Sequence, residues 1–243
     1  MSAFEEFETA LGRAGAAAMS TWTEDDQDRL ARRIKEVLLG DAVDVPGTAQ
    51  RSSQKEFMPA LIVGFGEIQE SATCLRNVAV YVRRFPYANA GIEKGAYLRY
   101  HVENYLNELY ILEKRLEAYI KVVSRLVSDE RGAELAKLSK SVRRVFKESL
   151  SGADVARGVH VHQRRYTDIH LERLKVLELV KTSDSRLEYL YELAYKETRT
   201  TKRVWIERTN TVVEGLLDQY FEQLLPLLFD VGGQLIPPAS SPR

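Results

Sequence analysis

Residues 98–127 read LRYHVENYLNELYILEKRLEAYIKVVSRLV. Leu98, Val102, Tyr105, Leu109, Leu112, Leu116, Ile120, Val123 and Val127 follow one another at steps of three or four residues. That spacing draws a single apolar stripe along a helix of about eight turns. A strand would instead alternate apolar and polar residues with a period of two.

The same period recurs on both sides of this stretch. Phe57, Leu61, Phe65, Ile68, Ala72, Leu75 and Val78 predict an earlier helix. Leu135, Leu138, Val142, Val145 and Leu150 predict a shorter one, closed near Gly152. Thr167 or Asp168 can cap a helix carrying Ile169, Leu174, Leu177 and Val180. Residues 187–229 are helical again, with a break expected at TRTTK (residues 198–202), where three threonines disfavour helix. Hairpin dipeptides and sustained alternation are lacking. The expectation is an all-α protein, an up-and-down helical bundle with additional N-terminal and C-terminal helices. Residues 1–53 read as an N-terminal helical segment and linker, the linker being GDAVDVPGTAQRSSQ (residues 40–54). Residues 54–231 read as the bundle, and residues 232–243, GGQLIPPASSPR, as a flexible tail.

Lys plus Arg number 35, and so do Asp plus Glu. A neutral chain has no overall field to steer it onto nucleic acid, so any such contact must come from a local patch. A single cysteine, Cys74, excludes an intrachain disulfide and leaves His and carboxylates as the material for any metal site. No apolar run approaches the roughly 20 residues that a membrane span needs. The opening residues, MSAFEEFETALGRAGAAAMS, are acidic and unlike a secretory signal, so a cytoplasmic location is expected.

Function turns on residues 154–170, DVARGVHVHQRRYTDIH, which hold three of the chain's four histidines. Polar connections between helices are often rich in Arg and His, and that is the plain reading. Three features weigh against it. Arg157 and His162 are separated by four residues. The pair stands between two helical stretches, just ahead of a capped helix. Arg164, Arg165, Arg173 and Lys175 face only Asp168 and Glu172, which makes a positive patch on a neutral protein.

Such a set suits phosphoryl transfer at RNA. Cleavage without a metal needs a base for the 2′-hydroxyl proton, an acid for the leaving oxygen and positive charge on the phosphorane. Histidine, with an ordinary pKa of about 6.5, can move the protons. Arginine stays charged and offers a planar fork to phosphate oxygens.

An Arg, four to six residues and a His leading into a helix of an all-α bundle resembles the HEPN superfamily. RGVHVH (residues 157–162) matches that motif. RYHVENYLNELYILEKRLEAYIKVV (residues 99–123) and HQRRYTDIHLERLKVLELV (residues 162–180) look like bacterial HEPN proteins of uncharacterised or phage-defence type. The resemblance covers residues 54–231. It implies a homodimer whose two Arg/His segments face one cleft. It also implies metal-independent endoribonuclease activity leaving a 2′,3′-cyclic phosphate, with no cofactor. Arg157 would hold the phosphate and His162 would carry protons. Arg164 and Arg165 would contact RNA. An antitoxin or regulatory protein is a further expected partner. Other members of the family are inactive and bind RNA or protein partners. Family members often carry a polar residue directly after the Arg, where this chain has Gly158; His160 is the residue that can compensate. The family often draws a polar residue from the preceding long helix. Glu103, Asn104, Asn107 and Glu108 are available, and Asn104 with Glu108, one turn apart beside the apolar stripe, is the favoured pair.

Other constellations are weaker. Arg165 and His170 repeat the spacing, but His170 falls in the first turn of a helix, where the dipole disfavours an imidazolium. His160, His162 and His170 match no common zinc spacing, so no metal is expected. The twelve tyrosines could stack bases, but their positions fit core and interface roles better. GFGE (residues 64–67) lies within a helical pattern and is read as a close helix contact rather than a phosphate loop.

Overall fold

A computed structural model describes residues 1–20, 23, 24, 28, 54–84, 91–124, 129–149 and 168–236. The described residues form α1 (Ala3–Met19), α2 (Gln54–Arg83), α3 (Lys94–Ser124), α4 (Asp129–Ser149), α5 (Ile169–Val180) and α6 (Ser185–Leu228). One 3-10 turn, Lys181–Ser183, precedes α6. The all-α class is thus borne out, and an isolated bridge between Phe229 and Leu235 is the β-type pairing seen among the described residues. The chain divides into two compact units. One comprises residues 1–65, 119–138 and 218–243; the other comprises residues 66–118 and 139–217.

In the first unit α1 opens with a capping box. The Glu5 N–H donates to Ser2 Oγ at 3.3 Å, and the Ser2 N–H donates to Glu5 Oε2 at 3.0 Å. Phe7, Leu11 and Ala14 then fall on one buried face. Phe7 is the centre of an aromatic cluster, 4.6 Å from Phe221, 5.5 Å from Phe65 and 5.6 Å from Phe229 between ring centroids. Gly64 lets α2 approach the ring of Tyr119 on α3. A Cβ at Gly64 would stand 2.6 Å from Tyr119 Cδ2, closer than packing allows. GFGE therefore serves as the close contact its small residues predict. At the C-terminal end of α6, Arg131 Nη1 donates to the Leu227 carbonyl at 3.1 Å. The chain then turns at Gly233, whose φ is +73°, and the Ile236 N–H returns to the Leu228 carbonyl at 2.8 Å. Residues 237–243 of the expected tail and residues 40–53 of the expected linker lie outside the described residues.

In the second unit the stripe on α3 is buried as its period predicts, through Leu98, Val102, Tyr105, Leu109 and Leu112. Tyr105 carries a polar tip into this core and uses it fully. Its hydroxyl donates to Asn210 Oδ1 at 2.7 Å, and Asn210 Nδ2 donates to the Leu75 carbonyl at 3.2 Å. One buried amide thereby links α2, α3 and α6, with donor and acceptor both satisfied. Burial pushes the Tyr105 phenol well above its ordinary pKa.

Two expectations fail here. The TRTTK stretch does not break the helix: α6 runs through it, and Thr198 and Lys202 are buried. The α5 face also differs. Leu171 and Leu174 are buried, whereas Ile169 is 81% exposed and Val180 is exposed. Both departures have a tertiary cause, the packing of the buried faces of α5 and α6 with the Asp168–Lys202 contact between them.

Phe7→Ala should lower the unfolding free energy by about 3–5 kcal/mol, the usual scale for emptying a buried aromatic site. A urea titration followed by circular dichroism measures it. A loss below about 1 kcal/mol would show that α1 is not part of this core.

Candidate functional site

The motif residues Arg157, His160, His162, Arg164 and Arg165 lie outside the described residues, as do Gly152, Gly158 and Thr167. The structure does give the point at which the chain leaves that segment. Asp168 is extended, with φ −120° and ψ 131°, and it is the N-cap of α5. Its Oδ1 accepts from the N–H groups of His170 at 3.0 Å and Leu171 at 3.2 Å. Its Oδ2 accepts from Lys202 Nζ at 2.5 Å, and the Lys202 side chain is only 9% exposed.

Partial burial alone would raise the Asp168 carboxyl. The hydrogen bond and charge of Lys202, with the N–H donors of Leu171 and His170, outweigh it and hold the group below its ordinary 3.8. Breaking a buried pair by removing one partner typically costs about 3–5 kcal/mol. Three threonines lower helix stability by roughly 2 kcal/mol together relative to alanine. The buried face of α6 runs straight through the segment, by way of Tyr191, Tyr195, Thr198, Lys202 and Ile206, and packing of that face together with the Asp168 contact at Lys202 keeps α6 helical through residues 198–202. The same contact, with the burial of Leu171 and Leu174, fixes the rotation of α5 and leaves Ile169 outward.

His170 is half-buried in the first turn of α5, while Arg173 and Lys175 are exposed. The position of His170 at a helix start is thus as its sequence implies.

The polar candidates on α3 separate sharply. Glu108 accepts from Ser71 Oγ at 2.7 Å and lies 3.9 Å from Arg115 Nη1. Arg115 also donates to Ser71 Oγ and to the Glu67 carbonyl, each at 2.7 Å. Glu108 is therefore a brace between α2 and α3. Asn104 and Asn107 are half-buried. Glu103, available from sequence but not one of the favoured pair, has a buried Oε1 with no hydrogen-bond partner. One turn earlier, Arg99 has buried Nε and Nη2 atoms that are equally unpartnered. That edge of a guanidinium presents two parallel donors, the geometry that grips phosphate or carboxylate. Sequence reasoning named Glu103 among the available polar residues but preferred Asn104 and Glu108, and it passed over Arg99, because a helical pattern assigns both to the solvated side. The signal available was Gly95, which marks close packing on that side. Its N–H donates to Glu178 Oε1 at 2.9 Å and to the Tyr191 hydroxyl at 3.1 Å.

Among the described residues, no group of three or more His, Cys, Asp or Glu side chains could hold a metal ion. No described helix is long and apolar enough to cross a membrane. Cys74 is exposed, and partial burial of its thiol and the nearby Glu108 and Glu70 carboxylates push it above its ordinary pKa, which disfavours the nucleophilic thiolate.

Asp168→Asn should destabilise the protein by about 2–4 kcal/mol near neutral pH, because Lys202 loses its counter-charge. The folded carboxyl lies below its unfolded value, so its contribution is present above pH 3.8 and is lost as pH falls through the folded value. Urea titrations at pH 7 and at pH 3 check this. The gap between wild type and variant must shrink at the lower pH.

Compared with protein-family models, curated proteins and solved structures, the chain finds no match in any of the three.

Proposed function

We propose that this chain is a metal-independent endoribonuclease of HEPN type, acting as a cytoplasmic homodimer, with a role in phage defence or as a toxin held by an antitoxin or regulatory protein. The observation that carries the reading is the Arg157–His162 spacing immediately ahead of a helix capped at Asp168. Arg157 engages the non-bridging oxygens of the scissile phosphate. His162 moves the proton between the 2′-hydroxyl, the leaving 5′-oxygen and solvent. The 2′-oxygen forms the new bond to phosphorus as the 5′-oxygen bond breaks, which leaves a cyclic phosphate. His160 is an auxiliary proton carrier, and Arg164 and Arg165 hold the flanking RNA backbone. Asn104 remains available as a polar aid from α3. Glu108 is committed to Ser71 and Arg115, which favours a bracing role over an auxiliary one.

Support for a dimer comes from apolar surface. On α5, Ile169, Val176 and Val180 recur at seven and four residues on the side opposite Leu171 and Leu174, and all three are exposed, as is Leu179. At the start of α6, Tyr189, Leu190 and Leu193 are exposed as well. A monomer rarely keeps so many large apolar side chains together in water. Two-fold dimers are the commonest oligomers, and two copies would double the Arg157 and His162 set.

Gly158 favours a second reading, a non-catalytic HEPN-like dimer that binds RNA or a protein partner. The two readings separate on one experiment. Purified protein incubated with total RNA in EDTA should cleave it and leave cyclic phosphate ends. His162→Ala should reduce the rate by about 100-fold or more, and Arg157→Lys should not restore it. The rate should follow a bell between about pH 5 and pH 8. Activity that vanishes in EDTA, or that survives His162→Ala, overturns the mechanism.

Light scattering on a size-exclusion column should show a dimer, and Leu179→Glu with Leu193→Glu should return monomer. A wild-type monomer with full activity would refute a shared site.

A further inference from the structure

From Arg76 to His101 the chain carries Arg76, Arg83, Arg84, Lys94 and Arg99 against the single acid Glu93. In the fold Arg83 pairs with Glu207 at 2.9 Å and Lys94 with Glu192 at 2.7 Å, so the exposed Arg76 and Arg84 carry the positive charge of this segment. Its two helical parts are held side by side. The Tyr97 hydroxyl on α3 is 3.5 Å from the Tyr81 carbonyl and 3.4 Å from the Arg84 carbonyl, at the end of α2. The hydroxyl's one proton can go to either carbonyl, and the Tyr81 carbonyl also accepts from the Arg84 N–H at 3.2 Å.

The tie assembles four rings. His101 lies 4.4 Å from Tyr97, 5.2 Å from Tyr81 and 5.4 Å from Tyr100 between ring centroids. The Tyr97 and Tyr100 contacts are edge-on, which is the favourable geometry for aromatic pairs. Burial pushes the His101 imidazole below 6.5, so near neutral pH it packs uncharged. The inner rings thus form a base, and two outer rings are left facing water: Tyr81 is 46% exposed and Tyr100 is 60% exposed. Arg84 is exposed beside Tyr81.

Neither outer ring is needed to fill the core, since both are exposed. Exposed aromatic rings on a rigid base, with the exposed guanidinium of Arg84 one turn from Tyr81, have a chemical complement. An unpaired base stacks on a phenol face, and its phosphate meets the cation. A duplex offers no free base faces and does not fit. A docked protein helix would call for an aliphatic groove, whereas the exposed rings here are aromatic, with Arg84 one turn from Tyr81.

We propose that Tyr81, Tyr97, Tyr100 and His101, with Arg84, form a stacking platform for unpaired bases of a single-stranded nucleic acid. Tyr81 and Tyr100 supply the stacking faces, Tyr97 and His101 hold them in place, and Arg84 contacts phosphate. This inference does not require Arg157 and His162 to be catalytic.

The test is fluorescence anisotropy with the full chain at about 50 mM salt, where phosphate contacts are strong. The probes are a labelled 15-nucleotide oligodeoxythymidine, the matching oligouridine and a DNA duplex of the same length. The DNA strand has no 2′-hydroxyl, so binding is read without cleavage, and failure here is distinct from failure of the nuclease reading. Tyr100→Leu and Tyr81→Leu should each weaken binding to the single strands by about 5-fold to 100-fold, the range for losing one stacked base. Tyr100→Phe should retain affinity, since it keeps the ring face. Arg84→Ala should flatten the salt dependence. Both outer residues are exposed, so folding survives, as circular dichroism should show. Equal affinity of wild type and both Leu variants would overturn the platform. So would preference for the duplex, or no binding of wild type to either single strand.

Discussion

Lys202 is an amine withdrawn from water beside a helix that its own neighbours do not favour. It stays there because Asp168 meets it at 2.5 Å while the same carboxylate caps α5 with its other oxygen. Three features of the fold meet at this contact. The α6 helix continues through three threonines. The rotation of α5 is fixed, so that Leu171 and Leu174 are buried and Ile169 is left outside. The chain also emerges from residues 150–167 at a defined point and in a defined direction. A charge-assisted pair of this kind gains little at the surface, where water competes. Here the low exposure of both side chains makes loss of either partner costly.

The two units handle polar groups in different ways. Around Phe7 the rings of Phe65, Phe221 and Phe229 cluster among buried aliphatic side chains, and Gly64 yields space to the Tyr119 ring. In the other unit the core carries polar atoms inward and satisfies them, as with Tyr105, Asn210 and the Leu75 carbonyl. Against that thorough pairing, the buried and unpartnered atoms of Arg99 and Glu103 stand out. Native interiors leave few such groups, and a guanidinium edge with two free donors is an unusual one to leave.

Much of the architecture was legible because helix burial has a local period. The stripe through Leu98, Val102, Tyr105, Leu109 and Leu112 needs only a step of three or four residues to be seen, and the structure buries every member. The α5 start was legible for a similar reason, since an Asp ahead of an apolar run satisfies orphan N–H groups within its own three residues. The candidate site was legible as composition and spacing alone. Of its expected auxiliaries on α3, Glu108 turned out to brace Ser71 and Arg115, because a partner 37 residues away leaves no trace in a helical pattern.

The sequence by itself therefore determined the helical class, the main buried stripes, the α5 cap and the Arg157–His162 spacing. Each depends on residues within a few turns of one another, where backbone geometry dictates which side chains share a face. Tertiary structure alone decided that α6 is unbroken, which side of α5 is buried, that Arg99 and Glu103 turn unpaired atoms inward, and that the Tyr81 ring of α2 joins those of Tyr97, Tyr100 and His101. Each of those depends on groups far apart in the chain. Their energies exceed the fractions of a kcal/mol per residue in which local propensity deals.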